Sequence, residues 1–352
     1  MNAITADVKL REKSPGLWRL AWRKLKDDRV GTVSGIVVAL FILMILASSL
    51  GLIAKDWNKE VGVSYANPSF LSGQENLEAA SSKKLEELNK EKQVVADLSD
   101  IDPLAPRYKE WEELAKKYKT TETPRADTLP FGGDKWGHDV IQKAIKGAEV
   151  SIFVGLIASF FAMVIGTFLG AISGYYGGKI GDACEFVYNV FTSIPYILLV
   201  LALAAVLAKY KGLPSVIAIL SITGWTGIYR LIRAEYIKHR SREYVRAAEA
   251  IGATHFRRMF VHILPNVSHV VLVQLSSHVV QFIKAEVILS FLGFGVPVEM
   301  VSWGTMLAEA QNELVIGKWW QLAAAGLSMA ALVTAFSLFT DALRDALDPK
   351  LK

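Results

Sequence analysis

Apolar residues along this chain fall into long blocks separated by basic or mixed-charge segments. A helix needs about 20 mainly apolar residues to cross a bilayer core, and six blocks meet or approach that length. Gly31 to Ala54 is uncharged, and Ser151 to about Gly174 is the second block. The third runs from about Ala183 to Ala208, with Glu185 near its start and Pro195 inside. Leu213 to Ile228 is a shorter fourth, containing Gly224 and Gly227. Val267 to about Phe294 is the fifth and Gln321 to Thr340 the sixth. The pattern predicts an all-α membrane protein with six transmembrane helices.

The polar remainder divides the chain further. Residues 1–30 form a basic arm, in which Leu17, Trp18, Ala21, Trp22 and Leu25 share one face of a predicted interfacial helix. Residues 31–54 hold the first span. Residues 55–130 form a polar insert with two helical patterns. One runs through Leu77, Ser81, Leu85, Leu88 and Val95; the other runs through Tyr108, Trp111, Leu114 and Tyr118. Pro103 and Pro106 separate them, so a helical pair is expected on the outer face, as a solvated spacer or a partner-docking element. Residues 131–340 hold spans two to six with a basic loop at 229–266, and 341–352 form a tail.

Charge then orients the chain. Lys and Arg concentrate in the N-terminal arm and in the fourth loop, which carries Arg230, Arg233, Lys238, Arg240, Arg242, Arg246, Arg257 and Arg258. With six spans both lie on one side, the cytoplasmic one, together with both termini. The net charge is +5, and its basic residues cluster in a few loops, which points to topology rather than to nucleic acid. A single cysteine, Cys184, makes no internal disulfide, and no Cys/His spacing resembles a zinc site. The N-terminus does not read as a cleaved leader, because its basic stretch is long and the first apolar block is long enough to span.

Two places carry candidate chemistry. The segment 244–265, "YVRAAEAIGATHFRRMFVHILP", is rich in Ala and Arg, with Gly252 at its middle and Pro265 at its end. It predicts two short helices meeting near Gly252 and ending at Pro265; a plain basic linker is the simpler alternative. The fifth span carries Gln274, Ser276, Ser277, His278, Gln281, Lys284 and Glu286. Glu286 lies roughly 28 Å along the helix from Val267, so it is expected near the outer surface, solvated or paired with Lys284, or as part of an outer gate. His255, His262 and His269 recur every seven residues, but a break at Pro265 argues against a metal stripe. Glu185 and Asp341 sit at inner span ends, where charges are ordinary. A chain that burned ATP itself would need a phosphate-cradling G-x-x-x-x-G-K-[ST] loop; the sequence has none, and "GYYGGKIG" around Lys179 does not fit.

Arg246-Ala247-Ala248, Gly252 and His262-Ile263-Leu264-Pro265 together resemble the EAA loop of ABC-importer permeases, with Arg246 in place of the motif's Glu and His262 in place of its Ile. "YVRAA" and "HILPN" are like the variant of the dipeptide and oligopeptide importers. "GGDKWGHDV", with His138 where Arg is usual, is similar to that branch's segment before span two. "AEVILSFLGFGVP", "SWGTML" and "DALRDALDPKLK" are similar to its fifth span, outer loop and tail. The resemblance covers 14–54 and 131–352.

It implies the type I ABC importer permease fold and the C-type permease subunit of the peptide/nickel branch, a multi-pass protein of the bacterial inner membrane. It further implies a heterodimer with a second permease, two cytoplasmic ATPase subunits that bind ATP and Mg, and an extracytoplasmic binding protein. The chain itself is expected to be non-catalytic and to bind no cofactor or metal. Arg246, Ala247, Ala248, Gly252, Leu264 and Pro265 match the coupling motif, and Phe256 and Arg257 flank its bend. Gln281, Glu286, Ser290 and Trp303 are candidates for the pathway or outer gate. Peptides are the expected substrates, with nickel or another small solute as the alternative. An ion-gradient-driven transporter would want carboxylates at mid-depth in broken helices, and these are scarce. An intramembrane enzyme would want paired mid-span aspartates, His-Glu-x-x-His or a Ser/His pair at matching depth, and none of these is read in the sequence.

Overall fold

The computed structural model describes residues 17–71, 107–117, 125–210, 212–297 and 299–347. Helix α1 (Leu17–Asp27) is followed by α2 (Arg29–Ser49), whose N-cap Asp28 accepts the backbone N–H groups of Val30 and Gly31. Strand β1 (Gly62–Pro68), α3 (Tyr108–Lys117) and β2 (Ala126–Leu129) belong to the insert. The bundle continues with α4 (Val140–Tyr176), α5 (Gly178–Thr192), α6 (Tyr196–Val206), α7 (Leu213–Gly224), α8 (Thr226–Arg240) and α9 (Glu243–Ala250). A one-turn α10 (His255–Arg257) runs through a π-helical turn (Arg258–Ile263) into α11 (Leu264–Phe291). Helices α12 (Trp303–Val315) and α13 (Trp320–Leu347) complete the chain.

The six apolar blocks correspond to four unbroken helices and two bent pairs. The third block is not one rod: α5 and α6 meet at 85°. Pro195 has no N–H to continue α5, and it disfavours helical backbone in the residue before it. The fourth block bends by 41° between α7 and α8. There Gly224 leaves room for the Phe282 ring, whose atoms lie 2.1 Å from where a Cβ would stand. Pro265 does not end a helix. The preceding π turn lets the Leu264 N–H bond the Met259 carbonyl, five residues back, so the chain is helical from His255 to Phe291. The expectation of a break there fails, and with it that argument against a histidine stripe; among the described residues no three His, Cys, Asp or Glu side chains are grouped to hold a metal.

The insert also differs from the pattern's expectation. Its stems pair as a two-stranded parallel sheet, Gly62 opposite Ala126 and Pro68 opposite Leu129. Parallel strands need a long crossover, and residues 69–125 provide it. The second predicted helix is present as α3; the first, at 76–98, lies outside the described residues. Trp320 Nε1 donates to the Gly133 carbonyl at 2.7 Å, tying the bundle to the segment just after β2.

Helix α4 is the hub, packed against α7, α8, α11 and α12. Association within lipid is driven by close packing and hydrogen bonds rather than by expulsion of water, so small residues mark the contacts. Gly166, Gly170 and Gly174 form a stripe of period four that meets α8 directly. A Cβ at these positions would stand 2.7, 2.8 and 2.5 Å from the carbonyl oxygens of Trp225, Tyr229 and Arg233. Ser173 Oγ and Tyr229 Oη share a hydrogen bond of 2.9 Å across the same seam. Arg233 also bonds Ser173 Oγ and pairs with Glu185 at 3.0 Å, so Glu185 is a cross-brace rather than an idle end charge.

Helices α2 and α13 pack together on the side of α4, and Ala21 and Leu25 of α1 close over Ala342, Ala346 and Leu347 of α13. Trp22, expected on that same face, is exposed.

A side chain at Gly170 must push α8 away from α4. Gly170→Val is expected to destabilise the purified protein by about 1–3 kcal/mol, seen as a lower midpoint of thermal unfolding in detergent. Gly326→Ala, at a helical glycine with open space around it, serves as the control. Equal midpoints for the two variants would contradict the close contact.

Candidate functional site

The loop between α8 and α11 folds as an elbow. Helix α9 ends at Gly252, whose φ of +82° is a left-handed conformation that costs little only for glycine. Ala253 N–H bonds the Ala248 carbonyl and Gly252 N–H bonds the Glu249 carbonyl, both at 2.9 Å. This pair of bonds is the Schellman ending of a helix. Thr254 then caps the next helix, its Oγ1 accepting the Arg257 N–H. Two short helices meeting near Gly252 are therefore a product of local chemistry.

Burial divides the elbow into two faces. Val245 and Ala248 are buried, and Val245 joins Ile232, Tyr236, Met259 and Ile263 in one apolar cluster. Tyr236 Oη donates to the Met259 carbonyl at 3.0 Å within it. Arg246, Ala247, Ala250, Gly252, Phe256 and Arg257 are exposed. The two alanines of the motif are thus separated: Ala247 faces out, whereas Ala248 is part of the seat. Leu264 is half-buried and Pro265 exposed. Ile251 is 84% exposed and Phe256 68% exposed, so the outward face carries a bare apolar tip between basic residues. An exposed apolar patch rimmed by polar groups marks a contact surface. Sequence reading omitted Ile251; its position just before the hinge glycine was the available signal.

The four residues proposed for the pathway or outer gate do not share a surface. Gln281 lies with Lys284 and Ile288 on the exposed face of α11. Trp303 is fully buried; its Nε1 donates to the Ala144 carbonyl at 3.1 Å and its backbone N–H to Ser151 Oγ. Glu286 is also fully buried, which corrects the expectation of a solvated or Lys284-paired charge. Its carboxyl accepts the hydroxyls of Ser151 and Ser290, each at 2.6 Å. The reason for the error is rotational: one residue turns about 100° on a helix, so Lys284 and Glu286 face different ways. Ser290 Oγ also accepts the Val296 N–H, and so links Glu286 to the turn after α11. Glu286, Ser151, Ser290 and Trp303 form one brace between α4, α11 and the start of α12.

Beside that brace is a cavity of about 930 Å³, lined by Trp57, Lys135, Trp136, Ser290, Glu299 and Glu309 among others. Its floor holds a buried ionic cluster. Asp134 Oδ2 meets Lys143 Nζ at 2.7 Å and His138 Nδ1 at 2.8 Å, and Lys143 also bonds Glu309 and Gln321. Gln321 donates to Glu309 and to the Met306 carbonyl. The cluster joins the segment before α4 to α12 and α13. Only His138 of this group was singled out in the sequence. Asp134 and Lys143 lie close in sequence, but Glu309 is far along the chain from both, so the cluster carries no local signal.

Burial disfavours the charged form of Asp134, but the His138 hydrogen bond and the Lys143 cation outweigh it and hold the carboxyl far below its usual range. Glu313, buried on α12, is pushed up to about 7 by burial, helped by Asp134 and Glu309 and opposed by Lys143. The signs differ. Asp134 contributes stability that is present above its ordinary 3.8 and lost only in strong acid. Glu313 contributes stability that is full below its ordinary 4.5 and is lost as pH rises through about 7. Between about pH 5 and about pH 8 the wild-type protein is therefore expected to lose heat stability, while Glu313→Gln loses less. Parallel pH profiles in the two proteins would refute the assignment.

Comparisons with known proteins agree with this architecture. Residues 166–352, more than half of the chain, match the family described as binding-protein-dependent transport system inner membrane component. Residues 16–58 match the N-terminal TM domain of oligopeptide transport permease C. The chain is 36% identical over 229 residues to the dipeptide transport system permease protein DppC of Bacillus subtilis, covering 65% of this chain and 71% of that one. It is 36% identical over 240 residues to the oligopeptide transport system permease protein OppC of the same organism, covering 67% and 78%. The dipeptide permease DppC of Lactococcus lactis is 27% identical over 342 residues, covering 97% and 93%. This integral inner-membrane protein, a bundle built around one glycine-striped helix, belongs to the binding-protein-dependent transport system inner membrane component family.

Proposed function

We propose that this chain is the C-type permease subunit of an ATP-driven importer of peptides and forms half of the translocation pathway. The relatives named for dipeptide and oligopeptide transport support the substrate class. The observation that carries the mechanism is the two-faced elbow: one face set into the bundle, the other offering Ile251 and Phe256 beside Arg246 and Arg257. A second permease completes the pathway, presenting the exposed polar face of α11 with Gln281 and Lys284 a partner across it. Two cytoplasmic ATPase subunits bind ATP and Mg and grip the outward faces of the two elbows. A binding protein delivers peptide on the opposite side. The chain has no catalytic role and holds no cofactor.

In this reading the basic end of the bundle is cytoplasmic, with both termini there, and the insert projects outward. The mechanical path follows from packing. Val245, Met259 and Ile263 set the elbow into the cluster that α4 and α8 share. The glycine seam leaves those two helices no slack, so displacement of the elbow moves both as one body. Glu286 and its hydroxyl partners brace the far end of α4 against α11 and the turn that borders the cavity.

Gly252 tests this reading. Among the described residues no atom beyond its chain neighbours stands within 4 Å of a Cβ placed there, so Gly252→Val acts through backbone strain of roughly 1–2 kcal/mol and not through a clash. A correctly inserted variant is expected to lose most peptide uptake and most binding-protein-stimulated ATP hydrolysis. A thiol placed at Ala250, with Cys184 replaced by Ser, is expected to react with reagents supplied from the cytoplasmic side only. Unchanged transport in the first case, or labelling from outside in the second, would overturn the proposal.

A further inference from the structure

The elbow has a third arginine that the motif does not include. Arg246 and Arg257 are exposed, but Arg258 is buried, at the first position of the π turn. Its contacts fall on both sides of the hinge. Nη1 meets Glu249 Oε1 on α9 at 2.7 Å. Nη2 donates to His255 Nδ1 on α10 at 2.9 Å. The guanidinium also lies 5.8 Å from the ring centre of Tyr175, in the last turn of α4. Tyr175 Oη contacts the same His255 nitrogen at 3.1 Å, and Arg240 of α8 reaches the Tyr175 carbonyl. One planar cation therefore touches α9, α10 and the end of α4 together.

From this geometry we infer that Arg258 is a positioning residue: it pins the angle of the elbow and seats it on the end of α4, so that force applied to α9 reaches the bundle. The inference rests on the coupling role proposed above. Its physical basis is the weakness of the hinge. Gly252 has no side chain and its surroundings are open, so at the hinge itself the angle between α9 and α10 is held only by the two backbone bonds of the turn. The backbone bonds around Gly252 close the turn but do not span from α9 to α4. A guanidinium presents several donors in a fixed fork and stacks on an aromatic face, which an ammonium cannot do at once. Glu249 is largely exposed, so its ion pair adds little to folding stability. What the pair supplies is direction.

The test uses the complete transporter, with partner permease, ATPases and binding protein, reconstituted in vesicles. The readout is peptide taken up per ATP hydrolysed, which a general loss of stability does not change in the surviving molecules. Arg258→Gln and Glu249→Gln are each expected to lower that ratio about five-fold or more, the low end of typical coupling between sites. Arg258→Lys is expected to restore part of it, and the exchange Arg258→Glu with Glu249→Arg to recover more than either charge change alone. If Arg258→Gln fails to insert, Glu249→Gln removes the same pair from its exposed end. An unchanged ratio in Glu249→Gln overturns the inference. A wild-type complex whose ATP hydrolysis is unrelated to uptake would instead overturn the coupling reading beneath it, so the two failures are distinguishable.

Discussion

The contact on which the rest of this molecule depends is the seam between α4 and α8, where backbone meets backbone. Gly166, Gly170 and Gly174 bring the carbonyls of α8 to distances that no side chain could share. Lipid offers no hydrophobic reward for pairing two helices, so this approach is held by dispersion over a close surface and by the hydroxyl pair of Ser173 and Tyr229. Two helices so joined behave as one rigid element. The elbow grows from the end of α8 and is set against the same pair, so its position is defined by that seam.

The two ends of the bundle solve different problems. At the basic end, Val245, Ala248, Met259 and Ile263 bury an apolar face, and Ile251 and Phe256 stay bare. A chain this apolar has little reason to leave two large residues on a polar-rimmed tip unless another surface covers them. At the insert end, buried charges stand beside an apolar cluster that includes Val140, Trp303 and Trp320. Lys143 stands among Asp134, Glu309 and Gln321, and every member of that group has a partner. Burying charge is costly unless it is paired and hydrogen-bonded, and such a network fixes the registry of the start of α4 against α12 and α13.

Proline and glycine act here through context. Pro195 separates two helices at 85°, whereas Pro265 sits inside a continuous helical run because a π turn precedes it. Gly224 makes room for a ring and Gly252 permits a left-handed backbone. The residue type alone does not distinguish these outcomes; the neighbouring chain does.

What was legible in the sequence was what depends on near neighbours. Apolar blocks of span length, the helical period of α3, the two-helix elbow with its hinge at Gly252 and the motif at 246–265 are all properties of contiguous residues. Local chemistry suffices for them: the helix period, the left-handed preference of glycine and the capping of Thr254. Tertiary structure decided the rest. It turned Glu286 away from Lys284 and into the hydroxyls of Ser151 and Ser290. It faced Ala247 and Ala248 in opposite directions, paired the stems of the insert as strands, and brought Glu309 from a distant part of the chain to Asp134 and Lys143. Those arrangements depend on which faces of different helices meet, and packing between distant elements sets that after the local rules have been satisfied.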